Sequence, residues 1–249
     1  MTALDDTVQQ FQQLMTGRRL PLSPHQLEQF ETYYRELVEW NEKMNLTGIT
    51  EKAAVYEKHF FDSVSLSFFL DIASITRIAD IGSGAGFPSL PLKICFPHLQ
   101  VTIVDSLNKR IQFLKHLTDA LGLTDVECIH GRAEDVARMP AHRDAYPLVT
   151  ARAVARLQGL NELCLPFVQK DGWFAAMKGA DTAEEVEEAA FSLRELKAKV
   201  ERVESFQLPY EQSERAIVLI RKTGPTPKTY PRKAGIPLKQ PLMGSKLGR

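Results

Sequence analysis

Paired cysteines, metal-ligand spacings and long apolar runs are all missing from this 249-residue chain. Its three cysteines, Cys95, Cys128 and Cys164, lie more than thirty residues apart, in or beside apolar segments, with no CxxC among them. They read as buried free thiols, and nothing points to an oxidising compartment. The six histidines form no HExxH or similar spacing, so no metal site is expected. Charge interrupts every apolar stretch within about ten residues, well short of the ~20 that a membrane helix needs. The opening "MTALDDTVQQFQQ" is acidic and glutamine-rich, the reverse of a secretory leader, and cytoplasmic residence is the expectation. Net charge is also absent, with 31 basic against 31 acidic residues.

What remains is the make-up of an ordinary globular protein, 44% hydrophobic and 25% charged, long enough for one α/β domain with an appendage. The first third reads as helical. Ser23, Pro24 and Gln26 supply an N-cap, a first-turn proline and a capping-box partner. Leu27, Phe30, Tyr34, Leu37 and Val38 follow at helical spacing, which predicts a helix over 24–43. A second helix is expected over 51–70.

From Arg77 short apolar strands alternate with helical segments. "RIADIG", "VTIVDS", "VECIHG", "PLVTARAV" and "GWFAAMKG" read as strands. Helices are expected from about Pro88, over "NKRIQFLKHLTDALGL", around "AEDVARM", up to Gln169, and along "DTAEEVEEAAFSLRELKAKV". "VESFQL" and "RAIVLIRKT" close the pattern as a strand pair. Five βα units and a final pair predict a mostly parallel seven-stranded sheet with helices on both faces, behind an N-terminal helical extension. The expected division is 1–72 for the extension, 73–223 for the Rossmann-like domain and 224–249 for a basic, Pro/Gly-rich tail, taken as a loop that orders on contact. From Arg221 onward there are eight basic residues and no acidic one, a local positive field in a neutral chain.

"DIGSGAGFPSLPL", residues 80–92, carries the chemistry. Gly82, Gly84 and Gly86 end the first strand in GxGxG spacing, and Phe87 stands where a dinucleotide fingerprint would place its third glycine. There is no GK[ST] to cradle a phosphate. S-adenosyl-L-methionine, which has no phosphate, suits such a turn. Asp80 could meet its amino group, Asp105 at the end of the second strand its ribose hydroxyls, and Glu134 after the third strand its adenine edge. Each has a plainer reading: tight packing for the glycines, a helix cap for Asp105, a first-turn acid for Glu134. Their joint occurrence at successive strand ends favours the methyl donor. No [DNS]PP[YF] follows the fourth strand and Cys164 reads as core, so neither adenine N6 nor cytosine C5 is the expected target.

These segments, with "VDSLNKRIQFL", "GRAED", "TARAVA", "NEKMNLTGIT", "HFFDSVS" and the ending "YPRKAGIPLKQPL", resemble the RsmG (GidB) family of bacterial small-subunit rRNA guanine-N7 methyltransferases. The likeness runs from about residue 35 to 180 and again in the tail. It implies a class I S-adenosylmethionine-dependent methyltransferase acting on 16S rRNA, free or in the 30S particle. By position it implies cofactor contacts at Gly82, Phe87, Asp105, Ala133, Glu134 and Arg152, with Arg152 beside the cofactor or the target base. Asn45, in "NLTG", resembles a family motif near the target. Guanine N7 carries a lone pair and no proton, so the lack of an obvious general base accords with this target. Lys178, Arg221, Arg232, Lys233 and Lys239 are candidate phosphate contacts, whereas Lys109 and Arg215 read as solvated surface. A monomer is expected. A small-molecule methyltransferase and an RNA-binding module without catalysis stand as alternatives.

Overall fold

The computed structural model describes residues 5–180 and 182–244. Helix α1 (Asp6–Gly17) starts where the Asp5 carboxylate accepts from the N–H groups of Thr7 and Val8. Helix α2 (Pro24–Met44) has the expected capping box between Ser23 and Gln26 and ends at Asn45 in the left-handed conformation. Its apolar stripe, Leu27, Phe30, Tyr33 and Leu37, is fully buried or nearly so.

The helix expected over 51–70 is broken. It runs as α3 (Lys52–Val55), a π-helical turn (Tyr56–Phe61), α4 (Asp62–Val64) and a 3₁₀ turn (Ser65–Phe68). One residue too many per turn rotates the faces before and after it. Phe60 and Phe61 therefore both reach the core.

Seven strands form one sheet in the order β3-β2-β1-β4-β5-β7-β6. They are β1 (Arg77–Ile81), β2 (Gln100–Asp105), β3 (Val126–His130), β4 (Tyr146–Arg152), β5 (Val168–Lys178), β6 (Ala198–Gln207) and β7 (Glu214–Lys222). The first five are parallel, and β7 pairs antiparallel with both β5 and β6. The intervening helices are α5 (Ser89–Cys95), α6 (Asn108–Ala120), α7 (Ala133–Val136), α8 (Leu157–Cys164), α9 (Ala183–Glu188) and α10 (Ala190–Glu195), with α11 (Ile236–Lys239) in the tail.

Alternation along the central strands divides the interior in two. Ile78, Leu148, Ala175 and Ile217 face a core shared with the N-terminal helices, α5 and α6. Ala79, Val149, Phe174 and Val218 face the other, with α7, α8 and α10. The extension thus takes the place of covering helices on one face, and each core is closed.

Three expectations are corrected. The helix expected up to Gln169 stops at Cys164 and passes through a 3₁₀ turn holding Pro166, so β5 starts at Val168. The charged helix is two short ones ending at Glu195, because Lys197 turns left-handed (φ +57°) and β6 begins one residue later; its first residue, Asp181, lies outside the described residues. Up to residue 244 the tail is irregular backbone around α11, as expected, but its place is set by the chain itself and not by contact with a partner. Arg143 donates to the carbonyls of Thr226, Pro227 and Tyr230, and Arg138 to that of Pro231, strapping it across the molecule.

Candidate cofactor and RNA site

Strand order reverses between β1 and β4, and in open α/β sheets the crevice outside the carboxyl ends at such a point is where ligands bind. The glycine turn sits there. All three glycines have positive φ, +73° at Gly82, +62° at Gly84 and +99° at Gly86. Their surroundings differ. A Cβ on Gly82 would lie 3.0 Å from Val154, and one on Gly86 would strike the Tyr33 hydroxyl at 2.6 Å. One on Gly84 would meet nothing within 4 Å. Gly82 and Gly86 are glycines because protein presses on them, whereas Gly84 faces open space.

Asp80, one of the last residues of β1, is completely buried. Its Oδ2 accepts the Ser89 N–H at 3.1 Å, and its Oδ1 has no hydrogen-bond partner. Burial lifts its pKa from the ordinary 3.8 to about 7. Asp105, also buried, closes β2. Its Oδ1 accepts from Leu107 N–H at 2.9 Å, and its Oδ2 from Gly84 N–H at 3.3 Å and from Arg110 at 3.4 Å. It therefore ties the glycine turn to β2 and still has lone-pair capacity on Oδ1. Glu134 is buried just after β3 at the start of α7, beside half-buried Ala133. The sheet brings these carboxylates to one end, as the sequence predicts.

At the end of β4 the N-terminal extension enters the site. Arg152 Nη1 pairs with Asp62 Oδ2 at 2.7 Å and donates to the Lys58 carbonyl at 3.1 Å. Asp62 Oδ1 lies 3.5 Å from Arg215 Nε, so one buried carboxylate serves two guanidiniums. The Arg152 guanidinium also stacks 4.8 Å over the Phe87 ring. That ring also stacks with His59, 4.6 Å away, and with Tyr33, 5.3 Å away and nearly parallel. Tyr33 donates to the Ala85 carbonyl at 2.6 Å, pinning the turn from below. His59 Nε2 meets Thr47 Oγ1 at 2.8 Å, and Asn41 fixes the same loop by accepting the Thr47 N–H at 2.8 Å. Burial and the neighbouring Arg152 push the His59 pKa down to about 3.

Phe87 is thus a core residue by its side chain, and what it can offer the crevice is backbone. Sequence reasoning passed over His59, Asp62, Tyr33 and Arg215 as site residues. The signal available for the first two was "HFFDSVS", whose i, i+3 His and Asp share a helix face.

The basic candidates separate. Arg232 is half-buried and paired with fully buried Glu162 at 2.7 Å. Arg221 registers with Trp173 and lies 4.4 Å over its ring, at the middle of β5, five residues short of the strand's carboxyl end. Lys178 is at the correct sheet end, but its ammonium binds the Ala155 carbonyl and Glu185, each at 2.7 Å. In these three the charge is held by a packing partner within the chain. Lys233, Lys239 and Asn45 are exposed, as is Lys109. Arg215, expected on the solvated surface, belongs with Asp62.

Residues 26–218 match the model of the GidB family, described as rRNA small subunit methyltransferase G. The chain belongs to this family. It is 56% identical over 237 residues to the ribosomal RNA small subunit methyltransferase G of Bacillus licheniformis, spanning 95% of this chain and 99% of that protein. It is also 56% identical to the protein of the same name in Bacillus cytotoxicus, over 94% of this chain and 98% of that one. Among solved structures, the mitomycin 7-O-methyltransferase MmcR superposes with a TM-score of 0.55 at 16% identity, over 76% of this chain and 60% of that one. An O-methyltransferase of Thermotoga maritima gives 0.51 at 19%, over 77% and 73%. At these identities the likeness concerns the fold.

The methyl donor of a GidB-family enzyme is S-adenosyl-L-methionine, and the residues present suit it. The unpartnered Asp80 oxygen is an acceptor that an ammonium would satisfy, its positive charge favouring the carboxylate form. Gly84 leaves room for a ligand against the backbone, and Asp105 has an acceptor in reserve for a diol. Among the described residues no cluster of His, Cys, Asp or Glu could hold a metal, and no helix is long and apolar enough to cross a membrane.

Proposed function

We propose that this chain methylates N7 of a guanine in 16S rRNA, with its crevice between β1 and β4 holding donor and base together. The observation that carries the reading is the meeting, at one sheet end, of the open Gly84 turn, the free Asp80 oxygen and the Asp62-paired Arg152. S-adenosylmethionine supplies an electrophilic methyl group, so the protein's task is alignment and charge. Asp80 and Asp105 hold the donor's ammonium and ribose, and the backbone of residues 82–87 forms the floor, with Ala133 and Glu134 at the adenine edge. N7 needs no deprotonation, which suits a site whose histidine is locked neutral between Thr47 and Arg152. Arg152 can donate to guanine O6 beside N7. Asp62, shared with Arg215, offsets part of its charge and so lessens the repulsion that a base turning cationic meets.

Lys233 and Lys239 on the strap and Asn45 at the end of α2 are the exposed contacts for rRNA phosphates. In this reading residues 1–72 and 224–249 are covers on the methyltransferase domain of 73–223, and the protein acts as a monomer in the cytoplasm. The test is mass analysis of 16S rRNA from a strain lacking the gene. Loss of a single 7-methylguanosine, restored by the intact chain and not by Asp105→Ala, is expected. An unchanged set of methylated nucleotides would overturn the reading.

A further inference from the structure

Glu134 is gripped by a part of the chain a hundred residues away. Its Oε1 accepts the Gly235 backbone N–H at 2.7 Å. A main-chain donor on a carboxylate makes a charge-assisted bond that fixes where the acid points. Glu134 needs such a hold, since it follows β3, an edge strand with no fully buried residue.

The segment that supplies the donor is seated in the fold. Gly235 has φ +84°, the left-handed region that favours glycine. The helix beneath, α8, has Gly159 where the strap crosses: a Cβ there would come 3.0 Å from Leu238 and 3.2 Å from the Pro237 carbonyl. On the same helix Glu162 is fully buried and turns its carboxylate to Arg232. Its Oε1 accepts the Arg232 backbone N–H at 2.6 Å and Nε at 3.0 Å, and its Oε2 accepts Nε at 3.0 Å and Nη2 at 2.7 Å. Nη2 also reaches the Gln240 carbonyl at 2.7 Å, closing the strap on itself around α11. Both the main chain and the side chain of Arg232 are thus clamped, three residues before Gly235.

We propose that Arg232 and Glu162 are positioning residues for the methyl-donor site: their buried fork sets the strap so that the Gly235 N–H orients Glu134 toward the donor. This rests on the reading of the crevice as that site. Coupling between two sites is reciprocal, so whatever the strap adds to donor binding, the donor adds to the order of the strap.

Two measurements on the full chain test it, with S-adenosylhomocysteine as probe. Hydrogen exchange of residues 230–240 should slow about tenfold when the probe saturates the protein, a coupling of ordinary size. By calorimetry Arg232→Met should bind the probe about tenfold more weakly than the intact chain, with Arg232→Lys, which keeps the charge but loses the fork, in between. Exchange unaffected by the probe, or an Arg232→Met affinity within about twofold of the intact chain's, would overturn the proposal while Asp105→Ala still loses binding. If Arg232→Met fails to fold, the exchange experiment on the unaltered chain decides alone. An intact chain that binds no probe would instead overturn the donor-site reading, and the proposal with it.

Discussion

Two buried groups near the crevice titrate in opposite senses, which makes the chemistry of single residues measurable. Asp80 has its pKa raised from 3.8 to about 7 by burial, so between those values the folded state keeps a proton that the unfolded chain has released. Its contribution to stability falls as pH rises through that window. His59 is depressed from 6.5 to about 3 by burial and by Arg152, so the unfolded chain holds the proton and stability rises with pH from about 3 to 6.5. Where the windows overlap, the two slopes oppose each other, each at most about 1.4 kcal/mol per pH unit. Urea unfolding at pH 4.5 to 6.5 should show Asp80→Asn gaining stability with pH relative to the intact chain, and His59→Asn losing it. Parallel profiles for all three proteins would show that neither group is perturbed. A second consequence concerns Asp62, the shared partner of Arg152 and Arg215. Asp62→Asn leaves two guanidiniums facing each other without a counter-charge, and should cost about 3 kcal/mol by urea titration.

Elements were legible in the sequence where local signals act alone. The capping box at Ser23 and the left-handed Asn45 bound α2 within a residue of the expected 24–43, and Ser23→Ala should remove about 1 kcal/mol from the thermal unfolding balance. Where packing decides, the sequence misled. Residues 51–70 have helical composition throughout, yet Tyr56–Phe61 takes the wider π turn. The register change lets the aromatic residues bury and brings His59 and Asp62 against Phe87 and Arg152, a demand set by a strand some ninety residues later. The tail's prolines and glycines signal irregular backbone correctly. They do not disclose that Arg143, Glu162 and Glu134 await its carbonyls, its arginine and its N–H. For the same reason charge counting does not disclose how the basic residues are held: Arg221 stacks on Trp173 and Arg232 pairs with a buried acid. The strand-end acids were the opposite case, since strand alternation fixes which sheet end a residue reaches whatever its neighbours.

For the whole molecule, a neutral chain builds one end of its sheet into a polar crevice, covers one face with its N-terminal extension and straps the helices of the other with its tail. The extension supplies Tyr33, Thr47, His59 and Asp62 to that end, and the strap supplies Gly235. With several of the basic residues engaged internally, RNA affinity should depend modestly on salt. Lys233→Ala with Lys239→Ala should reduce the slope of log affinity against log salt by about 1.4, at ~0.7 per phosphate contact for single strands. The central claim is that the crevice delivers a methyl group to guanine N7 of 16S rRNA. The most direct measurement is mass analysis of nuclease fragments after incubating the purified chain, S-adenosylmethionine and 30S subunits or 16S rRNA from a strain lacking the gene. One added methyl per 16S molecule, as 7-methylguanosine, absent with Asp105→Ala, is the predicted result; no incorporation into either RNA substrate, or a methyl on any other base or atom, would contradict it.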